Sequence, residues 1–177
     1  HTGRLIPVKN HEFLLEVFAR VVQSFPNAVL LLAGRGDLEE SIRARVDELG
    51  LKKAVFFLGV VDDVPYLLRA ADVFVFPSVK EGLPLAVVEA QAAGLPTVIS
   101  TGVPKFAVVS DRACRMPLSA GAEAWAGKCI EMLHLAQSTE RSDACEQVRE
   151  HGFDAASTSV RLASFYEAVA AGENAQW

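Results

Sequence analysis

Two rhythms of apolar and polar residues run along this chain. HEFLLEVFARVVQSF (11–25) sets Phe13, Leu14, Val17, Phe18, Val21, Val22 and Phe25 at helical spacing, with Asn10 as candidate N-cap and Pro26–Asn27 as the stop. Short unbroken apolar runs form the second rhythm: AVLLLAG (28–34), AVFFLG (54–59), DVFVFPS (72–78) and LPTVIST (95–101). Such runs predict strands buried on both faces. Between them the pattern predicts a charged helix from about Asp37 to Leu49, closed by Gly50, and a short helix in VPYLLRAA. PLAVVEAQAAG (84–94) predicts another, with Pro84 in its first turn and Gly94 as C-cap.

Strand alternating with helix, with uniformly apolar strands, predicts a doubly wound parallel α/β sheet of Rossmann type. After residue 118 the pattern turns helical through AEAWAGKCIEMLHLA and two further stretches to Ala171. We therefore expect one domain over residues 1–177, with an α/β core over about 1–118 and C-terminal helices over 119–177. Ligands of such sheets sit beyond the carboxyl ends of the strands. The loops that matter are then 3–10, 34–37, 59–63, 78–84 and 100–104.

The net charge of −5 over 177 residues leaves no basic surface for nucleic acid and no polybasic membrane patch. No apolar run is long enough to span a bilayer. Cys114, Cys129 and Cys145 lack any CxxC spacing and read as reduced, mostly buried cytoplasmic thiols. His1, His11, His134 and His151 form no cluster and are expected at the surface, so no metal and no cofactor is expected. The opening HTGRLIP has no initiator Met, which reads as a piece of a longer polypeptide.

Two carboxylates stand out in EGLPLAVVE (81–89). Glu89 lies in a helix whose neighbours are apolar on every side, which predicts burial. A buried carboxylate needs donors, and ligand hydroxyls would supply them; a solvated sliver of helix or a backbone amide is the alternative. Glu81 stands just before the same helix, where free amides and a partial positive charge suit an anion. It either serves as that anion or reaches a sugar hydroxyl, with Gly82 letting backbone approach a ligand. The helical rise from Pro84 to Glu89, about 7.5 Å, points to two grips on one elongated ligand. Gly3, Arg4 and Lys9 supply cations in the first loop, for a diphosphate or simply for solvent.

Taken together, GRLIPVKN (3–10), LLLAGRGDLEESI (30–42) and the run from Val55 to Ser100 resemble the C-terminal domain of a family 4 retaining glycosyltransferase of the GT-B fold. The likeness covers residues 3–104 well and the helical tail loosely. It implies a nucleotide-sugar donor site, with Arg4 and Lys9 on the diphosphate beside Gly3. Glu81 would act on the donor sugar as the catalytic carboxylate. The backbone of Gly82 and Leu83 would line sugar and phosphate, Glu89 would take the ribose hydroxyls, and the loop near Val61 the base. It implies metal-independent transfer and a UDP-sugar rather than a GDP-sugar. A separate N-terminal acceptor domain is implied to be missing here, so the isolated chain is expected to be inactive. The implied acceptor is a polysaccharide or glycolipid, and the full-length protein would meet the inner membrane face only peripherally. The loop STGVPKFAVVSD (100–111) departs from the family pattern: Lys105 and Phe106 stand where an acidic residue is usual. Together with RMPLSAGAEAWAGKCIEML it resembles the bacterial exopolysaccharide or capsule subgroup.

A UDP-sugar 2-epimerase half of the same architecture and a non-catalytic interaction module are the competing readings. The glutamate spacing and the joint presence of Arg4, Lys9, Glu81 and Glu89 favour the transferase. Asp62 and Asp63 read as a helix N-cap. Ser78 lacks the surroundings of a hydrolase nucleophile. Trp125 and Trp177 read as core or interdomain packing.

Overall fold

The computed structural model describes residues 1–138 and 144–172. Trp177 lies outside the described residues. Among the described residues there are five strands: β1 (Leu30–Ala33), β2 (Val55–Gly59), β3 (Phe74–Phe76), β4 (Thr97–Ser100) and β5 (Ala113–Met116). All pairings are parallel, β1 with β2 and β3 with β4 with β5. Residues 1–3 join the two groups. On one side the His1 ammonium donates to Leu31 O, Ala33 N to His1 O and Gly3 N to Ala33 O, each at 2.9 Å. On the other, His1 Nδ1 lies 2.9 Å from Val75 O, with its ring stacked on Phe76. The strand order therefore reverses at residues 1–3, and the chain leaves that reversal at Gly3, Arg4 and the loop beyond.

Seven helices are described: α1 (His11–Ser24), α2 (Glu39–Glu48), α3 (Val64–Ala70), α4 (Leu85–Ala92), α5 (Gly121–Ser138), α6 (Ala144–Glu150) and α7 (Ala155–Ala170). They cover both faces of β1, β3 and β4, as the unbroken apolar strands predict; β2, which pairs with β1 alone, departs from that expectation and leaves Phe56 and Leu58 exposed on one face. α1, α2 and α5 bury Leu14, Phe18, Ile42, Val46 and Trp125 against β1 and β2. α3 and α4 bury Leu68, Val87 and Ala90 against Phe74, Phe76 and Ile99. Alternation along β4 shows the two faces at once, because Val98 joins the first cluster and Ile99 the second.

Several expectations need correcting. β5 is not among the strands the pattern predicts, because Ala-Cys-Arg-Met is half-buried throughout and carries a charge, unlike the other strands. The helical tail is three different things. α5 is core, with Trp125 fully buried and its Nε1 donating to Pro117 O at 3.0 Å. α6 touches α4 through Val148 and Val88, while α7 exposes Val160, Tyr166 and Val169. Cys129 is buried, Cys114 half-buried and Cys145 exposed. His11 is not at the surface: it is 2% exposed. No helix of the described residues is long and apolar enough to cross a membrane. A cavity of about 480 Å³ between β1 and β3 is lined by α1, α3 and α5 and holds none of the expected site residues.

Candidate functional site

The loops at the carboxyl ends of the strands are stitched to one another by backbone. Residues Pro7–Lys9 make a 3-10 turn, and Asn10, at φ 56°, redirects the chain into α1. Asn tolerates that left-handed conformation. Asn10 holds the N-cap position but makes no capping bond; its Nδ2 donates instead to Pro77 O at 3.3 Å. Val79 N donates to Val8 O at 2.8 Å, so the loop after β3 docks on the first loop. Leu38 N donates to Leu5 O at 3.1 Å and Gly34 N to Gly59 O at 2.7 Å, which adds the loops after β1 and β2. Gly34 is required there: a Cβ would fall 2.0 Å from Gly3 O. The loop after β4 closes the set, with Ser100 Oγ donating to Ser78 O and Glu81 N donating to Gly102 O at 3.0 Å.

This stitching brings Lys9 to Glu81. Lys9 Nζ donates to Glu81 Oε1 at 2.8 Å across 72 positions of sequence, with both side chains largely shielded. The ammonium also lies 4.5 Å from the centre of the Phe76 ring, a cation–π contact. Gly3 belongs to the same cluster, since a Cβ there would meet Lys9 Cε at 3.3 Å. Arg4 follows in the same loop with an exposed side chain. Gly82 and Leu83 come next after Glu81, both exposed, and a Cβ at Gly82 would meet nothing within 4 Å. Pro84 then caps α4 without a side-chain bond; Val87 N donates to Pro84 O at 2.9 Å, and the amides of Leu85 and Ala86 before it have no intrahelical partner.

Glu89 is exposed, against the expectation of burial. The helix is apolar nearly all round, yet α4 buries only Val87, Val88, Ala90 and Gln91. Leu85 and Glu89, four residues apart, share the solvent stripe. Val61 is half-buried in the loop after β2. Among the described residues no hydrogen bond or ion pair ties Glu89 or Val61 to Lys9 or Glu81. Asp63 caps α3 as expected, accepting from Tyr66 N at 2.9 Å. Ser78 is fully buried, which removes it as a nucleophile.

Two features escaped the reading of the sequence. His11 packs its ring 4.9 Å from that of His1, and neither of its nitrogens has a partner. Burial, followed by the nearby N-terminal ammonium and Lys9, pulls its pKa down to about 4, so it is neutral at physiological pH. Gln91 is fully buried with four hydrogen bonds. Gln91 lies within PLAVVEAQAAG (84–94), whose apolar composition hides it; the available signal is a polar residue on the face opposite Glu89.

Residues 1–150 match the family described as glycosyl transferases group 1. EpsF of Bacillus subtilis (strain 168) is 35% identical over 167 residues, covering 94% of this chain and 43% of EpsF. The UDP-Gal:alpha-D-GlcNAc-diphosphoundecaprenol alpha-1,3-galactosyltransferase of Escherichia coli is 39% identical over 101 residues, 55% of this chain and 26% of that protein. Among solved structures, Anabaena HepE in complex with UDP superposes with a TM-score of 0.78 at 24% identity, covering 95% of this chain and 48% of HepE. The chain thus spans less than half the length of these relatives. A parallel sheet covered by helices on both faces, with its loops gathered at the strand-order reversal, is the Rossmann-like half of the GT-B architecture, and the chain belongs to the glycosyl transferases group 1 family.

Proposed function

We propose that this chain is the donor-binding half of a retaining glycosyltransferase that uses a nucleotide-diphosphate sugar, with UDP preferred over GDP. The observation that carries the reading is the Lys9–Glu81 pair, 2.8 Å apart at the rim of the parallel sheet and built from loops far apart in sequence. A shielded cation and carboxylate neutralise one another until a ligand offers each a better match. A diphosphate brings negative charge to Lys9 and Arg4, and a sugar hydroxyl donates to Glu81. The open backbone at Gly82 and Leu83 admits the sugar, and the free amides of α4 face the leaving phosphate. Glu89 takes the ribose hydroxyls from the exposed stripe of α4, and the loop at Val61 meets the base. HepE is described in complex with UDP, which supports the choice of nucleotide.

The acceptor, a polysaccharide or glycolipid, is bound by a preceding domain of a longer polypeptide, so the 177 residues bind donor without turning it over. The E. coli relative, whose name gives a diphosphoundecaprenol-linked acceptor, supports that acceptor class. The longer protein works in the cytoplasm and meets the membrane only peripherally. Calorimetric titration of the chain with UDP, GDP and UDP-glucose tests the reading. Binding of UDP in preference to GDP, lost in Lys9→Met, is expected. Absence of any nucleotide binding, or sugar transfer by these residues alone, overturns it.

A further inference from the structure

Gln91 uses its whole hydrogen-bonding capacity inside the protein. Its Nε2 donates to Val87 O at 3.0 Å and to Ala107 O at 2.7 Å. Its Oε1 accepts from Val109 N at 2.8 Å and from Ser110 N at 3.0 Å. Three of those four partners belong to the strap that leads from β4 to β5. A second brace holds the other end of the strap, where the Arg115 guanidinium donates to Val103 O at 2.8 Å and to Thr101 O at 2.9 Å. Lys105 and Phe106 stand exposed between the two braces.

The root of this strap carries the backbone partner of Glu81. Gly102 O accepts from Glu81 N at 3.0 Å. The approach is close: a Cβ on Gly102 would fall 2.2 Å from Val79 O. The loop bearing Glu81 therefore rests on a strap whose position Gln91 and Arg115 set.

We propose that Gln91 is a positioning residue of the site, acting through the 102–110 strap on Glu81 and so on how the chain distinguishes a nucleotide sugar from the bare nucleotide. The proposal rests on the reading of Glu81 as the donor-sugar contact. Gln91 never meets the ligand. An apolar side chain of its size would fill the same space but would leave Ala107 O, Val109 N and Ser110 N without partners, and the strap would seek other geometry.

The test uses the 177-residue chain, with UDP and UDP-glucose as probes and amide exchange at Glu81 as a readout that needs no ligand. Gln91→Met keeps the volume and removes all four bonds. It is expected to lower the ratio of UDP-glucose to UDP affinity about tenfold. It is also expected to speed exchange of the Glu81 amide about tenfold or more, with the amides of β1 unaffected. Gln91→Glu retains both acceptor bonds but sets a charged oxygen against Val87 O and Ala107 O, so at neutral pH its effect is no smaller than that of Gln91→Met. It recovers as pH falls and the carboxyl regains a proton to donate; this variant also carries the test if Gln91→Met does not fold. A folded Gln91→Met with an unchanged affinity ratio and unchanged Glu81 exchange overturns the proposal. So does an equal loss for both ligands with only a lower melting temperature, which is the mark of packing alone. If the unmodified chain binds neither ligand, the donor reading fails, and the Glu81 exchange rate alone then decides whether the brace exists.

Discussion

Glu89 and Gln91 sit two residues apart on the same short helix, one facing water and the other fully enclosed. They differ by one group at the end of the side chain. The amide offers two donors and two acceptors without charge, so four backbone partners satisfy it completely. A carboxylate at the same place would bring a charge and no donor, at a cost of several kcal/mol on the order of a buried unpaired ion. The fold therefore takes in the neutral residue and leaves the charged one outside. His11 obeys the same rule, enclosed and held neutral, whereas Lys9 and Glu81 stay near the rim and enter partial burial only as a pair.

The largest way to break the comparison is to empty the enclosed position. Gln91→Ala strands three backbone groups of residues 107–110 and opens a cavity, so urea denaturation is expected to show a loss of about 3 kcal/mol or more. A loss below about 1 kcal/mol would mean that those bonds hold nothing in place. Next in size is acid. The pKa of His11 in the fold, about 4, lies below its ordinary 6.5, so the unfolded chain takes up the proton first. The stability from the neutral ring is complete above about pH 6.5 and drains away on acidification toward pH 4, by about 2 kcal/mol. Stability measured across that window should slope, and His11→Phe should reduce the slope, leaving the part due to the buried α-amino group of His1, whose pKa burial pulls down to about 5. A smaller effect is expected at the rim pair. Lys9→Met and Glu81→Gln each cost about 1 kcal/mol, and a double-mutant cycle should return a coupling of about the same size. Smallest is Glu89→Gln. Stability should stay within about 0.5 kcal/mol, as for exposed positions generally, while affinity for UDP drops severalfold through loss of the proposed ribose contact. Were Glu89→Gln to destabilise the domain as Gln91→Ala does, the two positions would not differ as described.

The parts of this architecture that announce themselves in sequence are those whose burial is uniform. β1, β3 and β4 lie under helices on both sides, and runs such as AVLLLAG and LPTVIST are apolar for that reason. β5 carries Arg115 to reach the carbonyls of Thr101 and Val103, so its residues match no strand period. In the site, the first loop and the loop after β3 could be singled out by their charges and glycines. Their meeting through Val8, Asn10, Pro77 and Val79 is backbone chemistry and has no side-chain signature. The exposure of Glu89 is not legible in the sequence, because composition around a helix does not say which stripe faces the sheet. The eight residues of α4 alternate too weakly to show it. His11 looked like any polar residue at a helix start, and only the stacking of His1 over Phe76 reveals how enclosed that corner is.

Trp125 meets Phe13 edge to face at 5.5 Å between ring centres, and α5 supplies the lid over the inner stripe of α1. A ribosome making this protein releases α5 about a hundred residues after α1. At about 5–20 residues per second, the oily side of the first helix waits on the order of ten seconds for its cover. Newborn chains in that interval are the ones that need a chaperone, and substitutions that blunt α5 should lower yield in the cell before they alter anything the finished fold does.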